Sequence, residues 1–320
     1  MKNTVITPPA IRLKITGNCN RSCFFCHQEG DMEGIFNISP DIKFFECLDN
    51  IISALCIDRI MVTGGEPLLH PQLLEIINGI KTFNISITTN GTLLKSQDEW
   101  KNLHEKGLTK AVLSINGNSP RRLLSIETKK RSITWASNAF QNQIKNLINL
   151  HKAEITTRVN VVASGVIMEI QDALNFLLPL SAKHFFEIRL LELLGNVAGN
   201  TNSSQEIISS IIKDFDAVPI KAYRRDGSSS FTQYYRTAND FEFSTKTSFP
   251  YFFDPICKKC SIREQNKCFE GFYGPRIEKR QGGYHVRLCL YRHDCNTLLP
   301  WQNFLSSGLA NEMKNIFQQV

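Results

Sequence analysis

The sequence predicts an α/β protein built on a parallel sheet, either doubly wound or curled into a barrel. Three observations carry this. The 320 residues, 42% hydrophobic and 21% charged, have ordinary globular composition and suffice for one large domain with an appendage, or for two. Over the first two-thirds of the chain, short strand patterns recur, each followed by a stretch of helical periodicity. The ten cysteines gather mainly in two groups, at 19, 23 and 26 and at 257, 260, 268, 289 and 295, unlike the even stapling of a secreted disulfide scaffold.

The elements follow in order. Residues 11–16 alternate apolar and polar side chains, a strand. Ser39 as N-cap and Pro40 as first helical residue open a helix that runs through Phe44, Leu48, Ile51, Ile52 and Leu55. A second strand spans 59–63, and a helix opens near Pro71. Further strands fall at 85–89, 111–115, 155–162 and 185–191, separated by helices around 97–106, 138–152 and 169–182. In a barrel the polar side of each strand faces the lumen, which suits Arg12, Arg158 and Arg189 to ligand contact. After Gly195 the character changes. Turn-rich breaks at 199–204 and 226–230 bracket one helix (205–213), followed by irregular polar sequence, and a short helix near 307–318 closes the chain. The expected division is therefore 1–198 and 199–320.

Charge and hydropathy narrow the function. Thirty-seven basic against thirty acidic residues give a formal +7. This favours an anionic small molecule, such as a phosphorylated one, and falls short of the dense basic stripe of a protein that binds polymeric nucleic acid. No run of 18 apolar residues predicts a membrane span, and the start lacks the apolar segment of a secretory signal, so a cytoplasmic location is expected. Cys47 and Cys56, in apolar surroundings, read as ordinary buried thiols.

Cys19-x3-Cys23-x2-Cys26 sits on a loop directly after the first strand. Three thiolates are one short of a complete set for zinc or for a fully protein-held cubane. Two readings stand: a [4Fe–4S] cluster with one iron open to a ligand, or a zinc loop that borrows a fourth ligand such as His27.

The segment 11–30, IRLKITGNCNRSCFFCHQEG, resembles the signature loop of the radical S-adenosylmethionine (SAM) superfamily. That resemblance implies a partial (β/α)6 radical SAM barrel with a C-terminal auxiliary iron–sulfur cluster extension. It implies that Cys19, Cys23 and Cys26 hold a [4Fe–4S] cluster whose open iron binds SAM. Electron injection would yield a 5'-deoxyadenosyl radical that abstracts a substrate hydrogen, and an external donor of flavodoxin or ferredoxin type would supply the electron. Phe25 would lie against the adenine. TGGEP at 63–67 is similar to the family motif that meets the SAM amino group, which places Gly64, Gly65 and Glu66 at the cofactor. Thr89, Asn90 and Ser114 match SAM-contacting positions, and Asn160 and Arg189 match further SAM- or substrate-facing ones. Within the superfamily, "TGGEPLL", "TTNGTLL", "RVNVV" and "EIRLLEL" resemble the GTP 3',8-cyclases of molybdenum-cofactor biosynthesis, and on that likeness Arg12, Arg59 and Arg158 handle substrate phosphates.

The cyclases carry an auxiliary [4Fe–4S] cluster on three cysteines, and Cys257, Cys260 and Cys289 match them; Cys268 lies in an intervening insertion, 263–281. With Cys268 as fourth ligand every iron would be protein-bound; Cys295 could replace it, and a zinc ribbon is the alternative. Other departures are Met61, where a cyclase has a further arginine, and a sequence that ends Gln-Gln-Val rather than Gly-Gly. The expected function is hydrogen abstraction from a small anionic, nucleotide- or nucleoside-like substrate, followed by cyclisation, carbon–carbon bond formation or rearrangement. An authentic GTP 3',8-cyclase, a peptide-modifying maturase, or a non-catalytic zinc or nucleic-acid-binding module are the alternatives. His27, His70 and Glu192 lie near strand ends, and no general acid or base is assigned.

Overall fold

Each of the six expected strands is present, and together they form the centre of one 13-stranded sheet in the computed structural model, which describes residues 4–7, 10–26, 34–82, 84–193, 202–225, 228–249, 251–268, 271–272, 274–292 and 294–318. In chain order the strands are β1 (Thr4–Thr7), β2 (Ile11–Lys14), β3 (Arg59–Thr63), β4 (Asn84–Thr89), β5 (Leu108–Ser114), β6 (Thr156–Ala163), β7 (Phe186–Glu192), β8 (Val218–Arg225), β9 (Ser230–Arg236), β10 (Glu242–Ser248), β11 (Arg276–Arg280), β12 (Gly283–Arg287) and β13 (Leu298–Pro300). Their order across the sheet is β1-β8-β9-β10-β7-β6-β5-β4-β3-β2-β11-β12-β13. Strands β2 to β7 pair in parallel, and β10 and β11 extend that run in parallel at either side. The chain is thus an α/β protein with a largely parallel sheet of the partial-barrel kind.

Helices α1 (Ile42–Leu55), α2 (Leu73–Gly79), α3 (Gln97–Glu105), α4 (Pro120–Ile126), α5 (Ile133–Lys152), α6 (Ile167–His184) and α7 (Ser204–Asp214) follow the strands. Each carries an apolar stripe into the core. In α1 that stripe is Phe44, Cys47, Leu48, Ile51 and Leu55, all buried. Its cap differs from expectation: Asp41, not Ser39, accepts the Phe44 N–H, because Pro40 lies one residue outside the helix. Cys56 is exposed rather than buried. It ends α1 in the left-handed conformation, φ 53°, one residue beyond Leu55, the last buried residue of the stripe. Cys47 is buried as expected.

The stretch after α7, expected to be irregular, is instead the meander β8–β9–β10. Its faces are polar because one side meets a cavity, and polar residues on both sides hide the strand alternation. The closing helical segment is two helices, Trp301–Ser306 and Leu309–Phe317. Among the described residues no helix is long and apolar enough to cross a membrane. The expected division at 198 falls outside the described residues, as does His27.

Candidate active site

Strand β2 delivers the chain into the cysteine loop at the C-terminal edge of the sheet, where α/β folds place ligands. The Cys26 N–H donates to the Cys23 carbonyl at 3.0 Å, a tight turn that carries both thiols. Cys19, Cys23, Cys26 and Phe25 all line one cavity of about 590 Å³. Burial pushes the Cys23 thiol up to about 12, against the pull of the neighbouring Arg21 guanidinium, and burial raises Cys19 likewise.

The loop is held by the other motifs. Gly65 N–H donates to the Thr16 carbonyl at 2.9 Å, and Glu66 N–H donates to the Asn18 carbonyl at 2.7 Å. A Cβ on Gly64 would stand 2.5 Å from the Thr16 carbonyl oxygen, and one on Gly65 2.1 Å from that of Asn18. The glycine pair therefore serves close approach of backbone to backbone, at Gly64 with φ +149° as well. Glu66 is wholly buried and does not line the cavity. Its carboxylate accepts from Leu68 N–H at 3.0 Å, Thr89 Oγ1 at 2.6 Å and Asn90 N–H at 2.7 Å. Burial raises its pKa against these hydrogen bonds.

Asn90 Nδ2 donates to Asn20 Oδ1 at 2.9 Å, and Asn20 Nδ2 donates to Thr92 Oγ1 at 2.9 Å, tying the β4 turn to the cysteine loop. From α5, the buried Gln143 donates to the carbonyls of Asn90 and Ser114. Sequence reasoning missed Asn20, Gln143 and Asn116. The Oδ1 of Asn116 accepts from Val162 N–H at 2.7 Å, while its buried Nδ2, on a residue lining the cavity, has no hydrogen-bond partner among the described residues. Amides on loops beyond a strand end, as Asn20 and Asn116, or inside a helix, as Gln143, are poorly visible without the fold.

Gly64, Gly65, Thr89, Asn90, Ser114 and Asn160 line the same cavity, at or near the C-terminal ends of their strands. Arg12, Arg59, Arg158 and Arg189 line it too, from earlier positions along theirs, and Met61 joins them. Arg158 Nε donates to Asn160 Oδ1 at 3.2 Å, and Arg189 donates to Ser244 Oγ and to the Tyr234 hydroxyl, both at 3.2 Å. Two residues not anticipated complete this floor. Lys110 Nζ lies 2.9 Å from Glu187 Oε2. Burial pulls the Lys110 pKa down. Burial also works to raise Glu187, but Lys110, Arg158 and Arg189 outweigh it and hold that carboxyl below its usual range. Glu192 lines the cavity and accepts the Ser248 N–H at 2.7 Å. His70 is buried, its Nδ1 accepting the Gln72 N–H at 3.1 Å, which makes it a structural residue.

Cys257, Cys260, Cys268 and Cys289 line a second, small cavity of about 20 Å³ walled by Phe252, Ile256, Phe272 and Leu288; the exposed Cys295 does not line it. Burial pushes Cys257 up to about 11, with Cys289, Cys268 and Cys260 adding to the effect. The two cavities share no lining residue among the described residues. Among the described residues, no three His, Cys, Asp or Glu side chains converge as a single metal ion requires.

A profile of the radical SAM superfamily matches residues 13–177, and the chain belongs to that superfamily. More particularly, it is similar to proteins named probable GTP 3',8-cyclase. That of Pyrococcus horikoshii is 32% identical over 159 residues, which cover 49% of this chain and 47% of the relative. That of Methanocaldococcus jannaschii is 27% identical over 270 residues, covering 80% and 86%. The chain matches about half the length of the Pyrococcus relatives. Among solved structures, Streptococcus suis SuiB bound to S-adenosylmethionine aligns with a TM-score of 0.44 and 16% identity, over 70% of this chain and 52% of that one. Membership implies catalysis with a [4Fe–4S] cluster and SAM. The residues present fit that group: Cys19, Cys23 and Cys26 line one cavity, and buried donors in its wall, Arg21 Nη2 and Asn116 Nδ2, have no acceptor among the described residues.

Proposed function

We propose that this radical SAM enzyme abstracts hydrogen from a small anionic substrate, nucleotide- or nucleoside-like, bound in the barrel cavity, and that cyclisation, carbon–carbon bond formation or rearrangement follows. The observation that carries this is the charge of the cavity. Arg12, Arg59, Lys110, Arg158, Arg189 and Lys246 face it, and its acidic lining residues are Glu187 and Glu192. Cationic side chains fixed at a low-dielectric floor favour phosphate over neutral ligands.

Cys19, Cys23 and Cys26 would hold the cluster, with Gly64, Gly65, Thr89, Asn90 and Ser114 around SAM. When bound, cluster and SAM supply reductive cleavage to a 5'-deoxyadenosyl radical. The protein's own work is positional. Glu66 fixes the turn at Asn90, Glu187 holds Lys110 toward the floor, and Asn160 and Tyr234 orient Arg158 and Arg189. A second [4Fe–4S] cluster on Cys257, Cys260, Cys268 and Cys289, in a C-terminal region spanning 199–320, completes the reading. GTP itself is the second candidate substrate, on the strength of the relatives' printed names.

Anaerobic equilibrium dialysis tests the substrate class. GTP, GMP, guanosine and ribose 5-phosphate are compared on the wild type and on Arg158→Ala. The phosphorylated ligands should bind at least tenfold tighter than guanosine, and Arg158→Ala should abolish most of that preference. Equal binding of guanosine and GMP, unchanged by the substitution, contradicts an anionic substrate.

A further inference from the structure

Arg21 is nearly inaccessible, with 2% of its side chain exposed, yet it lines the barrel cavity beside Cys19 and Cys23. Its Nε donates to Glu127 Oε1 at 2.7 Å. Glu127, itself 1% exposed, also accepts from Ser22 N–H at 2.8 Å and Ser22 Oγ at 2.9 Å. Glu127 in turn is fixed by its surroundings. It follows α4 directly, and the next two residues bond back to the loop, Thr128 N–H to the Ser22 carbonyl at 2.8 Å and Lys129 N–H to Ser22 Oγ at 3.0 Å.

The guanidinium is therefore a planar fork clamped at one edge, and the direction of its other N–H groups is set by that clamp. Its Nη2 is buried and has no hydrogen-bond partner among the described residues. Buried donors are almost always satisfied, so an orphan in the wall of a ligand cavity marks where an acceptor belongs.

Building on the cofactor reading above, we propose that Arg21 Nη2 is an anion-binding donor of the active site, taking either the carboxylate of SAM or a sulfide of the cluster, with Glu127 as its positioning residue. Both acceptors are anionic, and a cluster held by Cys19, Cys23 and Cys26 with its SAM would share the cavity that Arg21 lines.

The test uses the anaerobically reconstituted full chain. Arg21→Gln/Glu127→Gln replaces both charges by amides that can still bond to each other and to Ser22; Arg21→Lys keeps the charge and loses the fork. Iron per chain, the dissociation constant of SAM from an electron paramagnetic resonance titration, and the midpoint potential without SAM are measured on whichever variant retains its iron. A SAM dissociation constant raised at least tenfold, at unchanged potential, identifies the carboxylate. An unchanged SAM affinity with a lower potential identifies the sulfide. SAM affinity within twofold of wild type together with an unchanged potential overturns the proposal. Loss of iron from both variants overturns it too, because Arg21 would then serve only to fold the loop. A wild-type chain that took up no iron would overturn the cofactor reading itself, and this proposal with it.

Discussion

Glu66 Oε2 accepts the backbone N–H of Asn90 at 2.7 Å, deep in a site neither residue could build alone. Two motifs whose joined residues lie 24 apart, at the ends of neighbouring strands β3 and β4, are thereby one object. Thr89 Oγ1 and Leu68 N–H donate to the same carboxylate, so all three donors face acceptor oxygens.

Glu66→Gln turns an NH2 toward at least one of those donors and removes the charge-assisted bonds. The expected cost is about 1–3 kcal/mol, with looser geometry at Asn90. Chemical denaturation of the reconstituted protein should reveal a lower midpoint at unchanged slope, alongside weaker SAM binding. Stability within about 0.5 kcal/mol of wild type contradicts this role.

Gly65→Ala places a methyl 2.1 Å from the Asn18 carbonyl oxygen, an overlap only backbone movement relieves. The cysteine loop must shift, and the variant should retain less than half of the wild-type iron. Gly308→Ala, with nothing within 4 Å of the new methyl, serves as control and should match wild type. Equal iron in both variants would mean that the Gly65–Asn18 contact does not set the loop.

Much of the centre was legible because its residues obey local rules. Strands β2 to β7 announce themselves by alternation, as in the run Thr-Thr-Arg-Val-Asn-Val-Val-Ala of β6, and the three cysteines announce themselves by spacing. Arg12, Arg158 and Arg189 line the cavity as strand alternation requires. The meander β8–β10 was not legible. Thr232, Tyr234, Lys246 and Ser248 face a polar cavity, so the apolar alternation that signals a strand is missing. Glu127 and Lys110 are recognisable only once the fold brings them to Arg21 and Glu187. The Gly64–Gly65 pair lines the cavity, and its close approach to the backbone of Thr16 and Asn18 was not foreseen.

Glu278, fully buried on β11, lies 3.3 Å from Lys14 Nζ and 2.9 Å from Arg287 Nη2. Burial alone would raise its pKa. The hydrogen bonds from Arg287 and the charge of Lys14 reverse this and pull it to about 2 from an ordinary value of 4.5. A depressed carboxyl pKa stabilises the fold above the unfolded value and loses that contribution as pH falls through the folded one. The Glu278 contribution, about 3 kcal/mol by linkage, should be complete above about pH 5 and vanish progressively between pH 4.5 and 2. The stability gap between wild type and Glu278→Gln should shrink over that window; cluster lability in acid affects both chains alike. A gap that stays constant with pH contradicts the assignment.

The small second cavity distinguishes the late cysteines. Cys268 lines it together with Cys257, Cys260 and Cys289, and Cys295 does not. If the proposed second cluster is held there, Cys268→Ala should lower iron per chain or alter that cluster's resonance, whereas Cys295→Ala should do neither. The reverse pattern would make Cys295 the fourth ligand.

The proposed reaction is radical SAM catalysis on an anionic nucleotide-like substrate. The most direct test is to incubate the reconstituted protein anaerobically with SAM and a strong reductant, and to quantify 5'-deoxyadenosine with GTP, other nucleotides, nucleosides or no substrate. Slow release is expected without substrate, and a rise of tenfold or more with one phosphorylated ligand, accompanied by a new product. No 5'-deoxyadenosine from an iron-replete chain under any condition would contradict it.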